Sequence, residues 1–167
     1  TRAAPFDSLQ VADIGDVPIN TFDLKDSVRR IEAFYDDILR HDVRPLTLGG
    51  DHTLSLPILR AMAKKYGPLA LLHIDAHADI NSHMFGEEIA HGTSFRRAFE
   101  EELLDADQVF QIGLRGTGYT DEDFDWASER GFQVVQAEQL WHQSAAPLMD
   151  QIRQQIGRVL IDLVFVK

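Results

Sequence analysis

The chain has 167 residues, of which 44% are hydrophobic and 26% are charged, a normal balance for a globular domain. Its 27 Asp and Glu residues outnumber its 16 Lys and Arg residues, and the net charge of −11 argues against nucleic acid or an anionic membrane as a partner. Cysteine is absent, which excludes disulfides and thiolate metal sites, so any metal has to be bound by histidines and carboxylates.

The N-terminal half predicts two helices and two strands in alternation. Apolar residues at spacings of three and four predict a helix over residues 23–40 with one buried face. The short run 44–48, which ends at two glycines, is typical of a buried strand. A second helical pattern covers residues 54–66, and the nearly continuous apolar run 69–74 predicts a strand with helices on both faces.

The same alternation continues to the end of the sequence. It predicts helices over residues 94–104, 121–130 and 145–156, and strands over residues 108–114, 132–136 and 159–166. Helices that alternate with strands in this way specify an α/β fold with a mainly parallel sheet. No linker or repeat interrupts the pattern, so we predict a single domain over residues 1–167, and both ends of the sequence have the character of a truncated chain.

Two polar segments follow predicted strands directly, residues 49–53 and residues 75–79. In an open parallel sheet, ligands bind beyond the carboxyl ends of the strands. Side chains alternate along an extended segment, so Asp75, His77 and Asp79 are expected to point to one side, with His52 as a fourth ligand from the neighbouring strand end. Carboxylates and imidazoles together suit hard or borderline metal ions, whereas the alternative is a solvated acidic turn. His73 is predicted to be a hydrogen-bonded core histidine or one that orients a ligand.

These two segments carry a resemblance to a known family. Gly49-Gly50-Asp51-His52 and Asp75-Ala76-His77-Ala78-Asp79 resemble the two metal-binding motifs of the ureohydrolases, the family that contains arginase, agmatinase and the guanidino-acid hydrolases. The run from Met84 to Thr93 is most similar to the agmatinase and guanidinobutyrase branch. The resemblance implies a three-layer αβα fold of the arginase type.

The resemblance also implies a reaction and a cofactor. Such enzymes hydrolyse a guanidino compound, here 4-guanidinobutyrate or agmatine, to urea and an amine by a hydroxide that bridges two Mn²⁺ ions. By the same resemblance His52 and Asp79 would bind one ion, His77 the other, and Asp75 both. Guanidinium is cationic and resonance-stabilised, and water ionised by metal coordination attacks it far better than neutral water.

Further roles follow from the same resemblance. His91 lies in the family's His-Gly motif and would carry a proton to the leaving amine, so His91 and Asp75 are the predicted catalytic residues. Asp51 would orient a metal ligand. Asn81 and Met84 follow the metal loop and are predicted to contact the tail of the substrate, which is a carboxylate in a guanidino acid and an ammonium in agmatine.

One expected motif is missing from the sequence. The family's strand Ser-Phe-Asp-Ile-Asp would supply two further metal carboxylates, but the sequence after Gly157 contains only Asp162, so four of six expected ligands are present. Two alternatives therefore stay open. The chain could be a truncated, non-catalytic relative that binds metal weakly, or a mononuclear zinc amidohydrolase that uses His52, Asp75, His77 and Asp79.

Location and assembly are expectations of the same kind. No apolar run reaches the roughly 18–20 residues that span a membrane, and the N-terminus lacks a signal-peptide pattern, so we expect a soluble protein of the cytoplasm or an organelle. Resemblance to the family implies a homo-oligomer, either a trimer or a hexamer.

Overall fold

The structure is a computed structural model that describes residues 4–116, 118, 125–156 and 164–166. From residue 55 onwards helical segments and strands alternate, as the sequence predicts. The helices are α1 (Pro5–Ser8), α2 (Leu24–Ile38), α3 (Ser55–Tyr66), α4 (Ser94–Glu100) and α5 (Ala146–Ile156). The strands are β1 (Leu69–Ile74), β2 (Leu104–Leu114), β3 (Gln133–Gln136) and β4 (Val164–Val166).

The four strands form one sheet in the order β3-β2-β1-β4, and all three neighbouring pairs are parallel. This confirms the predicted α/β fold with a parallel sheet. Parallel neighbours cannot be joined by a tight turn, so each connection crosses the sheet and brings a new strand end to the same edge. The carboxyl end of the inner strand β1 lies at this edge, between those of β2 and β4.

Side chains of the central strand alternate between the two faces of the sheet. Leu71 on β1 packs with Leu59 of α3 and Phe95 of α4 on one face. Its neighbour Leu72 packs with Phe110 and with Ile152 of α5 on the other face. Because each face of the sheet buries apolar surface under helices, the molecule has three layers, and burial of such side chains contributes about 1.5–3 kcal/mol each.

Helix α2 shows why the amphipathic pattern predicted its position correctly. The Asp23 carboxylate accepts a hydrogen bond of 3.0 Å from the Asp26 N–H and caps the first turn. Tyr35 and Leu39 are buried against Ile58 of α3. With 15 residues α2 is the longest described helix, and none of the described helices is long and apolar enough to cross a membrane.

The strand predicted over residues 44–48 is wrong. This segment pairs with none of the four described strands, and the side chains of Leu46 and Leu48 are about nine-tenths exposed. The hydroxyl of Thr47 contacts the hydroxyl of Tyr35 on α2. Alternating apolar residues identify a segment that favours extended backbone, but a strand also needs a hydrogen-bonded neighbour.

Two other boundaries differ from the sequence pattern, and two further predicted elements lie partly outside the described residues. The helix predicted over residues 94–104 ends at Glu100, and β2 begins at Leu104 rather than at 108, because Glu102 adopts a positive φ of 58° and turns the chain. Of the helix predicted over 121–130, residues 121–124 lie outside the described residues, and Ser128–Arg130 form a 3₁₀ turn. Of the strand predicted over 159–166, residues 159–163 lie outside the described residues, whereas 164–166 form β4.

Candidate metal centre

Four buried side chains converge at the carboxyl end of β1: His52, His73, Asp75 and Asp79. One ligand atom from each lies within 4.8 Å of the others. His73 belongs to β1, the two aspartates belong to the loop that follows β1, and His52 lies in the 3₁₀ turn before α3. The topology therefore brings the two polar segments of the sequence together, at the edge where ligands bind in parallel sheets.

The distances within this cluster are short. His52 Nδ1 lies 2.5 Å from Asp79 Oδ2 and 3.6 Å from Asp75 Oδ2. His73 Nε2 lies 3.6 Å from the same Asp75 oxygen. Nitrogen and carboxylate oxygen ligands of this kind, grouped within a few ångströms, are typical of sites for divalent cations.

The position of His52 is set by its neighbours in the chain. The carboxylate of Asp51 accepts a hydrogen bond of 2.8 Å from the Thr53 N–H and caps the 3₁₀ turn His52–Leu54. The buried hydroxyl of Ser94 donates to the His52 carbonyl at 3.1 Å and ties this turn to α4. Asp51 itself is exposed, and this cap acts on the backbone that carries His52.

The loop after β1 is not extended over residues 75–79, although extended backbone was expected from the spacing of Asp75, His77 and Asp79. Residues 75–77 form a bend, and Asp79 adopts a positive φ of 52°. Its carbonyl accepts a hydrogen bond of 3.1 Å from the Phe95 N–H, which anchors this strained conformation to α4. As a result Asp75 and Asp79 turn into the cluster, whereas the side chain of His77 is 56% exposed.

His77 nevertheless lies beside the cluster. Its Nδ1 is 3.6 Å from Asp75 Oδ1, and its backbone N–H donates to that oxygen at 2.9 Å. The two oxygens of Asp75 therefore face different histidines, Oδ1 towards His77 and Oδ2 towards His52 and His73. A carboxylate with a nitrogen ligand on each side is suited to bridge two cations.

Gly116 leaves room for the ring of His77. A Cβ atom at Gly116 would lie 2.4 Å from His77 Cδ2 and 3.0 Å from the Ala76 carbonyl oxygen, to which the Gly116 N–H donates at 2.8 Å. We expect Gly116→Ala to displace the ring and to weaken binding of a divalent metal by about tenfold or more, since residues that orient ligands have effects of this size. Isothermal titration calorimetry with Mn²⁺ measures the change.

The matched control for Gly116→Ala is the same substitution in a His77→Ala background. With the ring removed, the added methyl group no longer meets it, so the two effects on metal affinity should not add. Wild-type affinity in the single variant would contradict this role of Gly116.

Burial and neighbouring groups shift the pKa values of two residues in this cluster, Asp75 and His73. Burial raises the pKa of the Asp75 carboxyl, but His73 and the backbone N–H of His77 outweigh burial, so that the pKa lies well below its usual range. Burial lowers the pKa of His73, and the neighbouring Asp75 only partly opposes this. The centre therefore holds the ionised carboxylate of Asp75 beside the neutral imidazole of His73 at neutral pH.

These residues fit a divalent cation. Asp75 Oδ2 is buried and makes no hydrogen bond within the described residues, since its distances of 3.6 Å to the two histidines are too long. A second carboxylate, Asp79, is buried in the same cluster. Two buried carboxylates in one cluster are costly unless a positive charge compensates them, and a bound metal ion supplies that charge.

The predicted residues of the next loop lie close to one another. The backbone N–H and the side-chain amide of Asn81 both donate to the Gly92 carbonyl, at 3.0 and 3.1 Å, and close the loop 81–92. His91 opens the following 3₁₀ turn and is half-buried. Met84 is 8% exposed, and its sulfur lies so near Gly92 that a Cβ there would be 2.4 Å away. Asn81 and Met84 therefore both touch the residue after His91.

Sequence reasoning missed one polar residue of this region, Gln111. Its side chain is fully buried, and its Nε2 lies 3.1 Å from His73 Nδ1 and 2.7 Å from the Ala78 carbonyl oxygen. The signal that could have found it is a glutamine inside the apolar strand β2, because a polar side chain in a buried strand needs partners.

The amino-acid sequence is similar to the sequences of two curated relatives. Guanidinobutyrase from Pseudomonas aeruginosa is 66% identical over 157 residues, covering 94% of this chain and 49% of that protein. The mitochondrial guanidino acid hydrolase of Homo sapiens is 51% identical, covering 94% of this chain and 45% of that protein. The chain thus spans about half the length of the curated relatives it matches.

The fold is also similar to that of a solved structure. The solved structure of proclavaminate amidino hydrolase from Streptomyces clavuligerus superimposes with a TM-score of 0.86 at 33% identity, covering 95% of this chain and 52% of that chain. This agreement confirms the predicted arginase-type αβα fold. The sequence profile of the Arginase family matches residues 1–165, and the chain therefore belongs to the arginase family.

Proposed function

We propose that this protein hydrolyses a guanidino compound, 4-guanidinobutyrate or agmatine, to urea and an amine. The observation that carries the proposal is the convergence of His52, Asp75 and Asp79 at the end of β1 in a chain of the arginase family. The 66% identity to a guanidinobutyrase makes 4-guanidinobutyrate the first substrate to test. In this reaction water adds to the guanidino carbon, and the bond from that carbon to the substrate nitrogen breaks.

The proposed cofactor is a pair of Mn²⁺ ions. His52, Asp79 and one oxygen of Asp75 would hold one ion, and His77 with the other oxygen of Asp75 would hold the second. When bound, such ions lower the pKa of water and supply hydroxide near neutral pH. The support within this chain is the placement of a different histidine at each oxygen of Asp75.

His91 is the proposed proton carrier. The half-buried ring stands at the start of a 3₁₀ turn whose Gly92 carbonyl is fixed by both hydrogen bonds from Asn81. A histidine in such a position can take up a proton and then hand it to the departing amine nitrogen. Asn81 and Met84 would shape this loop against the tail of the substrate, and thereby set the preference between a carboxylate and an ammonium tail.

The decisive experiment measures metal content and urea release together. Purified protein is loaded with Mn²⁺ and offered 4-guanidinobutyrate and, separately, agmatine. We expect bound manganese and urea from at least one substrate, with Asp150→Asn, an exposed change on α5, as a control that alters neither. Weak metal binding without urea would instead support a non-catalytic relative, and activity with one Zn²⁺ but not with Mn²⁺ would support a mononuclear zinc amidohydrolase.

Assembly and location complete the proposal. We propose a homo-oligomer, a trimer or hexamer as the family resemblance implies, that works in the cytoplasm or in an organelle. The mitochondrial human relative is the reason to keep an organelle open. Light scattering after size-exclusion chromatography measures the assembly.

A further inference from the structure

Gln111 and His73 form a buried polar pair beneath the candidate metal centre. They are register partners on the neighbouring strands β2 and β1, and both are fully buried. The proposed catalytic roles use neither of them. Two polar side chains in the middle of a parallel sheet cost stability unless they form hydrogen bonds. The distances around this pair therefore indicate which atoms donate and which accept.

The orientation of the Gln111 amide is determined by the backbone. Its Nε2 lies 2.7 Å from the Ala78 carbonyl oxygen, and a carbonyl oxygen can only accept a hydrogen bond. The atom at this position must therefore be the NH₂ group and not the amide oxygen. The second hydrogen of the same NH₂ group is then available to His73 Nδ1, which lies 3.1 Å away.

This orientation determines the tautomer of His73. Nδ1 faces an NH₂ donor, so it has to be the acceptor and cannot carry a proton, since two donors cannot form a hydrogen bond. The proton of the ring is then on Nε2, which faces Asp75 Oδ2 at 3.6 Å. The ring of Phe95 packs against the imidazole with a centroid distance of 4.3 Å and restricts its rotation.

We propose that Gln111 is a positioning residue that fixes the Nε2–H tautomer of His73, so that Nε2 keeps its proton on the side of Asp75 and does not itself bind metal. The alternative is that His73 is a ligand, because its ring nitrogen lies within 4.8 Å of the other ligand atoms. Coordination through Nε2 would move the proton to Nδ1, where it would oppose the NH₂ group of Gln111. The same side chain also ties β2 to the Ala78 carbonyl, between His77 and Asp79.

The role assigned to Asp75 rests on the proposed function, but the tautomer of His73 can be measured without any activity. In the full, metal-free chain labelled with ¹⁵N-histidine, two-dimensional NMR distinguishes the protonated from the unprotonated ring nitrogen. His73→Gln identifies the resonances. We expect the Nε2–H pattern for His73, unchanged on addition of Zn²⁺, a diamagnetic probe, while the resonances of His52 shift.

Gln111→Met is the variant that tests the cause, because it keeps the length of the side chain and removes the amide. It should give a mixture of the two His73 tautomers and should weaken Mn²⁺ binding by about 10–100-fold. Gln108→Met, a half-buried change on the same strand, should leave the tautomer and the affinity unchanged.

Two results would overturn the inference: a wild-type His73 protonated at Nδ1, or the loss of the Nε2 proton when Zn²⁺ binds. The wild-type spectrum decides the matter even if Gln111→Met does not fold. The proposed function can fail separately. In that case the chain shows the expected His73 tautomer but releases no urea.

Discussion

Replacing Asp75 with asparagine should abolish tight metal binding and lower kcat/KM for urea formation by about a thousandfold. Asp75 has one oxygen near His77 and the other near His52, and it is the only carboxylate in the described part of the chain placed in this way. In the proposed mechanism Asp75 would bridge the two ions, so its loss would remove a charge worth several kcal/mol in the transition state, and about 4 kcal/mol corresponds to a thousandfold in rate.

The asparagine variant should still fold. It has almost the same volume, and its amide oxygen can accept the backbone hydrogen bond from His77 that Asp75 Oδ1 accepts at 2.9 Å. Circular dichroism checks the fold, calorimetry with Mn²⁺ checks the metal, and Asp150→Asn is the matched substitution at an exposed site. If Asp75→Asn retained metal and activity, the centre would have been placed wrongly.

Truncation of Phe95 to alanine should cost about 3–5 kcal/mol of unfolding free energy, as expected for removal of a fully buried phenylalanine. Phe95 is 0% exposed in the core cluster between α3, α4 and the sheet. Its ring also packs against His73 and His52, with centroid distances of 4.3 and 5.4 Å. The resulting cavity therefore loosens the metal centre as well as the core.

Chemical denaturation followed by circular dichroism measures this loss, and calorimetry with Mn²⁺ on the folded fraction measures the effect on the centre. Phe22→Ala is the control, because that side chain is 99% exposed and its removal should change stability by less than about 0.5 kcal/mol. Equal stabilities of the two variants would show that Phe95 does not support the core.

The long elements of the fold could be predicted because their residues suffice to define them. Helix α2 has its capping Asp23 and its apolar stripe within one segment, and β1 is a run of apolar residues bounded by Gly67-Pro68 and Asp75. Where the outcome depended on a distant partner, prediction failed. Leu46 and Leu48 have the pattern of a buried strand, yet they are exposed because no described strand pairs with them.

The candidate site was also predicted only in part. Its place at the end of β1 follows from the polar residues after a buried strand, together with the rule for ligands in parallel sheets. The sequence did not indicate that a bend and a positive φ at Asp79 would leave His77 half outside the cluster. It also did not indicate that Gln111, 38 positions from His73, would meet it across two strands.

For this protein, the sequence alone determined most of the alternation of helices and strands, the two polar motifs at the candidate metal centre and the family to which they point. These depend on periodicity and on short-range spacing, which are properties of a single segment. Tertiary structure alone decided which histidine faces which oxygen of Asp75, which glycine supports His77 and which glutamine orients His73. Those contacts join segments far apart in the chain, and their geometry depends on how the strands and helices pack against one another.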